Sequence, residues 1–212
     1  MIYHSQLGQD KFVDEYLQFK QNGTFIEIGA HDGKSCSNTL FFEEFRNWTG
    51  LCIEPGPEEF KKLQENRKSI NLNCCVSDYD GESEFTYIDG YSMMLSGLSE
   101  NYNQSHENRI NNEVSNYGGQ VKKIMMPVFR LQTILDEENI HEIDYCSIDT
   151  EGSEFNIIKS IDFDKTNIKI FSIENNYGDT QIQDYLSSKG YVLYKKIQWD
   201  DIFIKVWEKR LK

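Results

Sequence analysis

The sequence predicts an α/β fold, a mostly parallel sheet flanked by helices and closed by an antiparallel hairpin. Three observations predict it. Apolar strand-like segments alternate with helically spaced ones along the chain. A glycine-bearing turn, Gly29-Ala30-His31-Asp32-Gly33, follows a strand and leads to a helix. The last two apolar segments are joined only by Gln198-Trp199-Asp200-Asp201, too short a link for a parallel crossover.

The elements follow in order. Gln9 to Lys20 carries Phe12, Val13, Tyr16, Leu17 and Phe19 at helical spacing and stops at Asn22-Gly23. Thr24 to Ile28 reads as a strand and Ser37 to Trp48 as a helix. Gly50 to Glu54 is the second strand. Pro57 to Lys68 is a charged helix begun by a proline, which suits a first helical position. Ile70 to Ser77 is a third strand, and Glu82 to Ile88 alternates like a strand at the sheet edge. Asp89 to Gln120 is polar and breaks the rhythm, which marks a lid or mobile loop. Val121 to Arg130 is β-like, Leu131 to Glu138 helical, Ile143 to Asp149 a strand, Ser153 to Ile161 a helix and Ile168 to Glu174 a strand. Asp179 to Lys189 is a helix ended by Gly190. Tyr191 to Ile197 and Ile202 to Trp207 form the hairpin.

With 212 residues the chain fits one domain, taken as 1–212 with 89–120 as the lid or acceptor-binding insertion. The motif Ser5-Gln6 lies so near the start that a domain excised from a larger protein fits as well. The net charge of -13 repels phosphate backbones, so nucleic acid is not the expected partner. The longest apolar run, Tyr191 to Tyr194, is far too short to span a bilayer. Met1 to Asp10 has no signal-peptide pattern. The 5 cysteines show no CxxC spacing and read as free thiols in a reducing compartment, so a cytoplasmic location is expected.

Chemistry concentrates at strand ends. Glu27 closes the first strand beside the turn of Gly29, Ala30, His31 and Gly33. The spacing is ExGxxxG, not the GxGxxG of dinucleotide sites. A carboxylate there repels pyrophosphate and welcomes an ammonium group, such as the amino-acid end of S-adenosylmethionine. Glu54 closes the second strand, where an acid accepts hydrogen bonds from a ribose diol. Ser77 and Asp78 end the third strand, at the edge expected to line an adenine pocket; a simple turn explains them nearly as well. Asp149, Glu174 and Asn175 end the strands read at Ile143–Asp149 and Ile168–Glu174. Three oxygen-bearing residues converging there suit Mg²⁺ or Mn²⁺. Glu151 is the general base if no metal is used, and helix capping is the plain alternative for Glu151 and Glu154.

Taken together, Ser5 to Asp10, Phe25 to Ala30, Ser37-Asn38-Thr39, Gly50 to Pro55, Val76-Ser77-Asp78, Ser147 to Glu154 and Ile173-Glu174-Asn175 resemble the FkbM family of S-adenosylmethionine-dependent methyltransferases. The resemblance implies a class I methyltransferase fold, Rossmann-like, with a seven-stranded sheet and a reversed last hairpin. It also implies O-methylation, often of sugar hydroxyls in glycans or glycoconjugates. It brings Gln9 and Asn38 into the cofactor-binding set. Asp149, Glu151 and Glu174 are then the expected catalytic residues, with Asp149, Glu174 and Asn175 resembling the metal site of catechol-type O-methyltransferases. Two rivals stand beside this reading: a nicotinamide-dependent sugar oxidoreductase, and a non-catalytic binding module of the same fold.

Overall fold

The computed structural model describes residues 2–176 and 178–206. Its elements run α1 (Gln9–Tyr16), β1 (Thr24–Ile28), α2 (Leu40–Phe45), β2 (Thr49–Ile53), α3 (Pro57–Asn66), β3 (Ile70–Leu72), β4 (Cys75–Ser77), β5 (Gly81–Ile88), β6 (Gly97–Leu98), α4 (Gln104–Tyr117), β7 (Val121–Arg130), α5 (Leu131–Glu137), β8 (Glu142–Ile148), α6 (Glu154–Lys159), β9 (Asn167–Glu174), α7 (Gln181–Ser188), β10 (Tyr191–Ile197) and β11 (Asp200–Lys205). Seven strands form the main sheet in the order β3-β2-β1-β8-β9-β11-β10. Pairing is parallel from β3 to β9, and β11 runs antiparallel to both β9 and β10. This is the class I methyltransferase arrangement, with the expected reversed hairpin. Trp207, read as the end of the last strand, lies outside the described residues.

Both faces of the sheet are covered, so its strands are apolar at nearly every position. Ile26, Ile28, Leu51, Ile53, Cys146 and Ile148 pack with Leu131, Leu135, Ile157 and Leu186 on one side. Phe25, Cys52, Tyr145 and Ile170 meet Phe41, Phe42, Trp48 and Leu63 on the other. Strand order reverses between β1 and β8, which opens a crevice at their carboxyl ends. Gly29 sits in that crevice at φ +82, and a Cβ there would collide with the carbonyl oxygen of Asp149.

The expected third strand divides in two. β3 stops at Leu72 because Asn73 turns the chain, its Nδ2 donating to the carbonyls of Glu54 (2.8 Å) and Pro55 (3.0 Å). β4 then joins a second sheet, β4-β7-β5-β6. β5 is accordingly an inner strand of that sheet and not an edge of the first. The polar insertion is also more ordered than its composition predicts. It contains α4, capped by Asn103, whose side chain accepts from the His106 amide, and ended at Gly118 with φ 78. Only His106 and Ile110 of this helix are buried, a stripe too thin to stand out among the Asn, Ser and Glu around it.

The loop joining β1 to α2 is tied down by a buried ion pair. Arg67, whose side chain is fully buried, meets Glu27 at 3.0 Å and Glu43 at 3.1 Å. It also donates to Thr39 Oγ1 (2.9 Å) and Ser37 Oγ (3.1 Å). Glu27 in turn accepts from the Asn38 amide (2.6 Å), Ser37 Oγ (2.8 Å) and Thr39 Oγ1 (2.6 Å). α2 starts later than predicted because Ser37, Asn38 and Thr39 serve this carboxylate instead of a helix. Replacing Arg67 with Met strands the Glu27 charge in the interior. The expected loss is about 3–5 kcal/mol in a urea titration, and a loss below about 1 kcal/mol would show that the pair is dispensable.

Candidate active site

The crevice widens into a cavity of about 330 Å³, within the range of small-molecule sites. One wall is Ile28, Gly29 and His31 after β1, with Glu54 and Gly56 after β2. Asp149, Thr150 and Glu151 after β8, with Glu174 and Asn176 after β9, form the floor. The insertion supplies Met93, Met94, Ser96, Gly97, Leu98 and Arg109. A smaller recess of about 40 Å³ adjoins it, lined by Gln9, Glu27, Ala30, Asn38, Ser147 and Asp200.

Glu54 is where the sequence places it. Its Oε2 accepts from the His31 amide (2.8 Å) and its Oε1 from the Gly56 amide (2.7 Å). Burial raises its pKa to about 7 against the pull of those two amides. His31, at φ 49, sets its Nε2 3.2 Å from Met93 Sδ and so links the glycine turn to the insertion. Gln9 donates to Asp200 Oδ2 at 2.7 Å, and Asn38 donates to Ser147 Oγ at 2.8 Å.

Asp149, just after β8, and Glu174, at the end of the neighbouring β9, line the same cavity, close enough for the charge of Glu174 to disfavour ionisation of Asp149. Although the cleft mouth leaves Asp149 accessible, its walls strip water from the carboxyl, and Glu174, Glu154 and Asp200 repel its charge. Its pKa therefore stands well above the ordinary value, and that of Glu174 is raised too, by burial and by Glu151 and Glu154. Glu151, at φ 55, has its pKa raised to about 8 by burial and by Asp149. Behind it stands His106 Nδ1, 3.7 Å away. Glu154, the first residue of α6, accepts from the Thr150 and Gly152 amides and so closes the turn before the helix instead of capping it.

Several expected residues are placed elsewhere. Both oxygens of Glu27 are engaged with Arg67 and the loop, so it faces the small recess with no free carboxylate for an ammonium. Gly33 lines neither space; a Cβ on it would strike Leu63 and Arg67, which makes it a packing position. Ser77 is fully buried, and Asp78 pairs with Lys159 at 2.9 Å. Because the third strand ends early, Cys74, Cys75 and Val76 line the cavity where Ser77 and Asp78 were expected. Asn175 faces the hairpin, its Nδ2 donating to Asp201 Oδ2 (2.8 Å) and the Asp179 carbonyl (3.0 Å). The expected metal triad is therefore not assembled, and among the described residues no three His, Cys, Asp or Glu side chains converge on a metal site. Within the insertion Tyr91 packs against Tyr117 with ring centres 4.4 Å apart and Tyr102 against His106 at 4.3 Å, both pairs tilted.

Asp200, Trp199, Met93, Met94, Arg109 and Glu59 line the two spaces without having been assigned from sequence. The turn carrying Trp199 and Asp200 was legible as a hairpin, but its approach to Gln9, 191 residues away in sequence, was not. Two buried acceptors of these linings, Asn38 Oδ1 and Glu59 Oε2, have no donor. The site is rich in acids and short of donors. A ligand that brings hydroxyl and ammonium groups fits it, and one that brings phosphates does not.

The raised pKa values make stability fall with pH. The unfolded carboxyls ionise near 4.5, while folded Glu54 and Glu151 hold their protons to about 7 and 8. The native state thus binds more protons between those limits. Its stability is fullest below the unfolded value and is lost as pH rises toward 8. The melting temperature of the ligand-free protein should drop between pH 5.5 and 8.5. Glu151→Gln should flatten that drop by about 2–4 °C; a parallel curve would discard the assignment.

The sequence matches the Methyltransferase FkbM domain over residues 27–193. No curated protein matches it. Among solved structures it is similar to methyltransferase FkbM from Methylobacillus flagellatus KT, with 13% identity and a TM-score of 0.48 over 88% of this chain and 44% of that one. It is similar as well to the human methyltransferase 10 domain containing protein, with 14% identity and a TM-score of 0.47 over 95% and 82% of the two chains. A third is precorrin-6y C5,15-methyltransferase from Geobacter metallireducens GS-15, with 10% identity and a TM-score of 0.46 over 92% and 88%. The chain spans less than half the length of the first of these.

Proposed function

The chain belongs to the FkbM methyltransferase family, whose members use S-adenosylmethionine, and we propose that it methylates a hydroxyl oxygen on a sugar of a glycan or glycoconjugate. The observation that carries this reading is a single cavity joining Glu54, at the end of β2, to Asp149, Glu151 and Glu174 at the ends of β8 and β9. S-adenosylmethionine, when bound, supplies a sulfonium methyl open to attack by oxygen.

In this reading Glu54 holds the ribose, and Gly29 lets the backbone approach the ligand. Gln9, Ala30, His31 and Asn38 surround the methionine end. Glu27 contributes by holding the loop that carries three of them. Asp149, whose backbone lies against Gly29 and which has no Lys or Arg partner among the described residues, takes the charge-complementing role that the sequence suggested for Glu27. A sugar hydroxyl is a weak nucleophile until its proton leaves, and Glu151 is placed to accept that proton. A base whose pKa lies near the working pH is the effective kind, and about 8 meets that requirement. The neighbouring carboxyl of Asp149 adds a field that favours proton uptake by Glu151. The insertion 89–120 forms the acceptor wall through Met93, Met94 and Arg109. The strongly acidic net charge supports a neutral or cationic acceptor over a nucleic acid. The free, mostly buried cysteines support a reducing, cytoplasmic setting.

Two measurements test the reading. Calorimetry should show S-adenosylhomocysteine bound and NAD not bound, and transfer of labelled methyl to a panel of glycosides should identify the acceptor. Glu151→Gln should lower kcat by about 10²- to 10⁴-fold while leaving the affinity for S-adenosylhomocysteine within about twofold. Binding of NAD in place of S-adenosylhomocysteine would favour the oxidoreductase. Binding without transfer to any glycoside would reject the sugar acceptor.

A further inference from the structure

We propose that Glu59 is a second acid of the cofactor site, accepting a hydrogen bond from one hydroxyl of the ribose diol while Glu54 accepts from the other; this rests on the cofactor reading above. Glu59 lies in the first turn of α3, lines the cavity and is only 5% exposed. Its Oε2 is buried with no hydrogen-bond partner. Tyr87 stands near the same carboxylate, where burial and the charge of Glu59 raise its pKa to about 12, and Oε2 still has no hydrogen-bond partner among the described residues.

The ordinary duties of such a residue are already filled. An acid at the third position of a helix commonly reaches back to the amide of the capping residue. Here that amide, on Gly56, donates to Glu54 Oε1 at 2.7 Å. Glu58, one residue earlier, pairs with Lys61 at 2.6 Å on the open surface. Among the described residues no Lys, Arg or His lies within ion-pair distance of Glu59. A buried acceptor left without a protein donor is costly, and what fills the cavity beside it supplies one: water in the free protein, a donor group of the ligand in the complex.

Geometry names the kind of ligand group. A Cβ built on Gly56 would lie 2.7 Å from Glu59 Oε2 and 2.8 Å from Glu54 Oε1. The two carboxylates therefore flank one small space, kept open because residue 56 has no side chain. Each Glu54 oxygen already accepts one amide, which limits what it can offer a diol. Two acids side by side repel a phosphate and favour a pair of neutral donors, which a cis-diol provides.

The test is a cycle between protein and ligand groups, read by calorimetry. The probes are S-adenosylhomocysteine and its 2′-deoxy and 3′-deoxy analogues, with wild type, Glu59→Ala and Glu59→Gln. Wild type should bind each deoxy analogue about 10- to 100-fold more weakly than the parent, the scale of a hydrogen bond to a charged group. Glu59→Ala should bind the parent more weakly by a similar factor, and one of the two analogues should then show no further loss. Glu59→Gln keeps a polar side chain beside Tyr87 and should show the same pattern with smaller amplitude, which guards against an unfolded Ala variant. Parent affinity unchanged in both variants, or the full penalty for both analogues in both variants, overturns the clamp alone. Wild type that fails to bind S-adenosylhomocysteine overturns the cofactor reading and the clamp with it.

Discussion

The buried pair of Glu27 and Arg67 is the constraint on which the rest of the site depends. Neither charge is placed where water can reach it freely, so each must find its counter-charge and its hydrogen bonds within the protein. Glu27 finds them in Arg67, Ser37, Thr39 and the Asn38 amide; Arg67 finds them in Glu27, Glu43, Ser37 and Thr39. These partners come from the end of β1, the loop before α2, α2 itself and the residue after α3. Satisfying one charge therefore fixes four pieces of chain beneath the glycine turn. The turn can then present Gly29 and His31 to the cleft although it contains left-handed residues, which a loosely held loop would release.

A second consequence concerns the other acids. Because Glu27 is neutralised internally, the negative character of the cleft comes from Glu54, Asp149, Glu151 and Glu174, none of which pairs with a Lys or Arg among the described residues; His106 stands 3.7 Å from Glu151. Burial and mutual repulsion answer this by raising their pKa values, and a positively charged or donor-rich ligand would relieve the same repulsion. The same arrangement that weakens the protein at higher pH is what makes the cleft receptive. Perturbed carboxyls gathered in one cavity are a mark of function for this reason.

The large architecture was legible because it follows from local pattern. Thr24–Ile28 and Tyr191–Ile197 fall on the predicted bounds, and the hairpin was readable from the short link at residues 198–201. Glu54 and Asp149 were legible for the same reason: an acid that ends a parallel strand at the point where strand order reverses faces the crevice whatever its neighbours are. What failed depended on contacts distant in sequence. Nothing near Glu27 announces Arg67, 40 residues on. Asn175 is diverted by Asp201, and the third strand is cut by the side chain of Asn73. Each of these is one polar group meeting a partner that only the folded chain supplies. The helix α4 could have been found from His106, Ile110 and Val114 at four-residue spacing and from Gly118 as its stop, signals that polar composition hid.

The second sheet holds the insertion apart from the parallel sheet that fixes the strand-end acids. β4, β5, β6 and β7 build a platform outside the parallel sheet, and α4 rests on it through Ile88, Leu95 and Ile110. The insertion meets the residues at and beyond the strand ends through His31 with Met93, His106 with Glu151, and Asn101 with Ser153. The acids at the strand ends are fixed by the register of a seven-stranded sheet and tolerate little change. The insertion is held by its own small core and can vary its inward-facing residues without disturbing that register. Met93, Met94 and Arg109 line the cavity from the insertion, and under the proposed function they are where acceptor preference would be set, with His106 standing 3.7 Å from the proposed base Glu151.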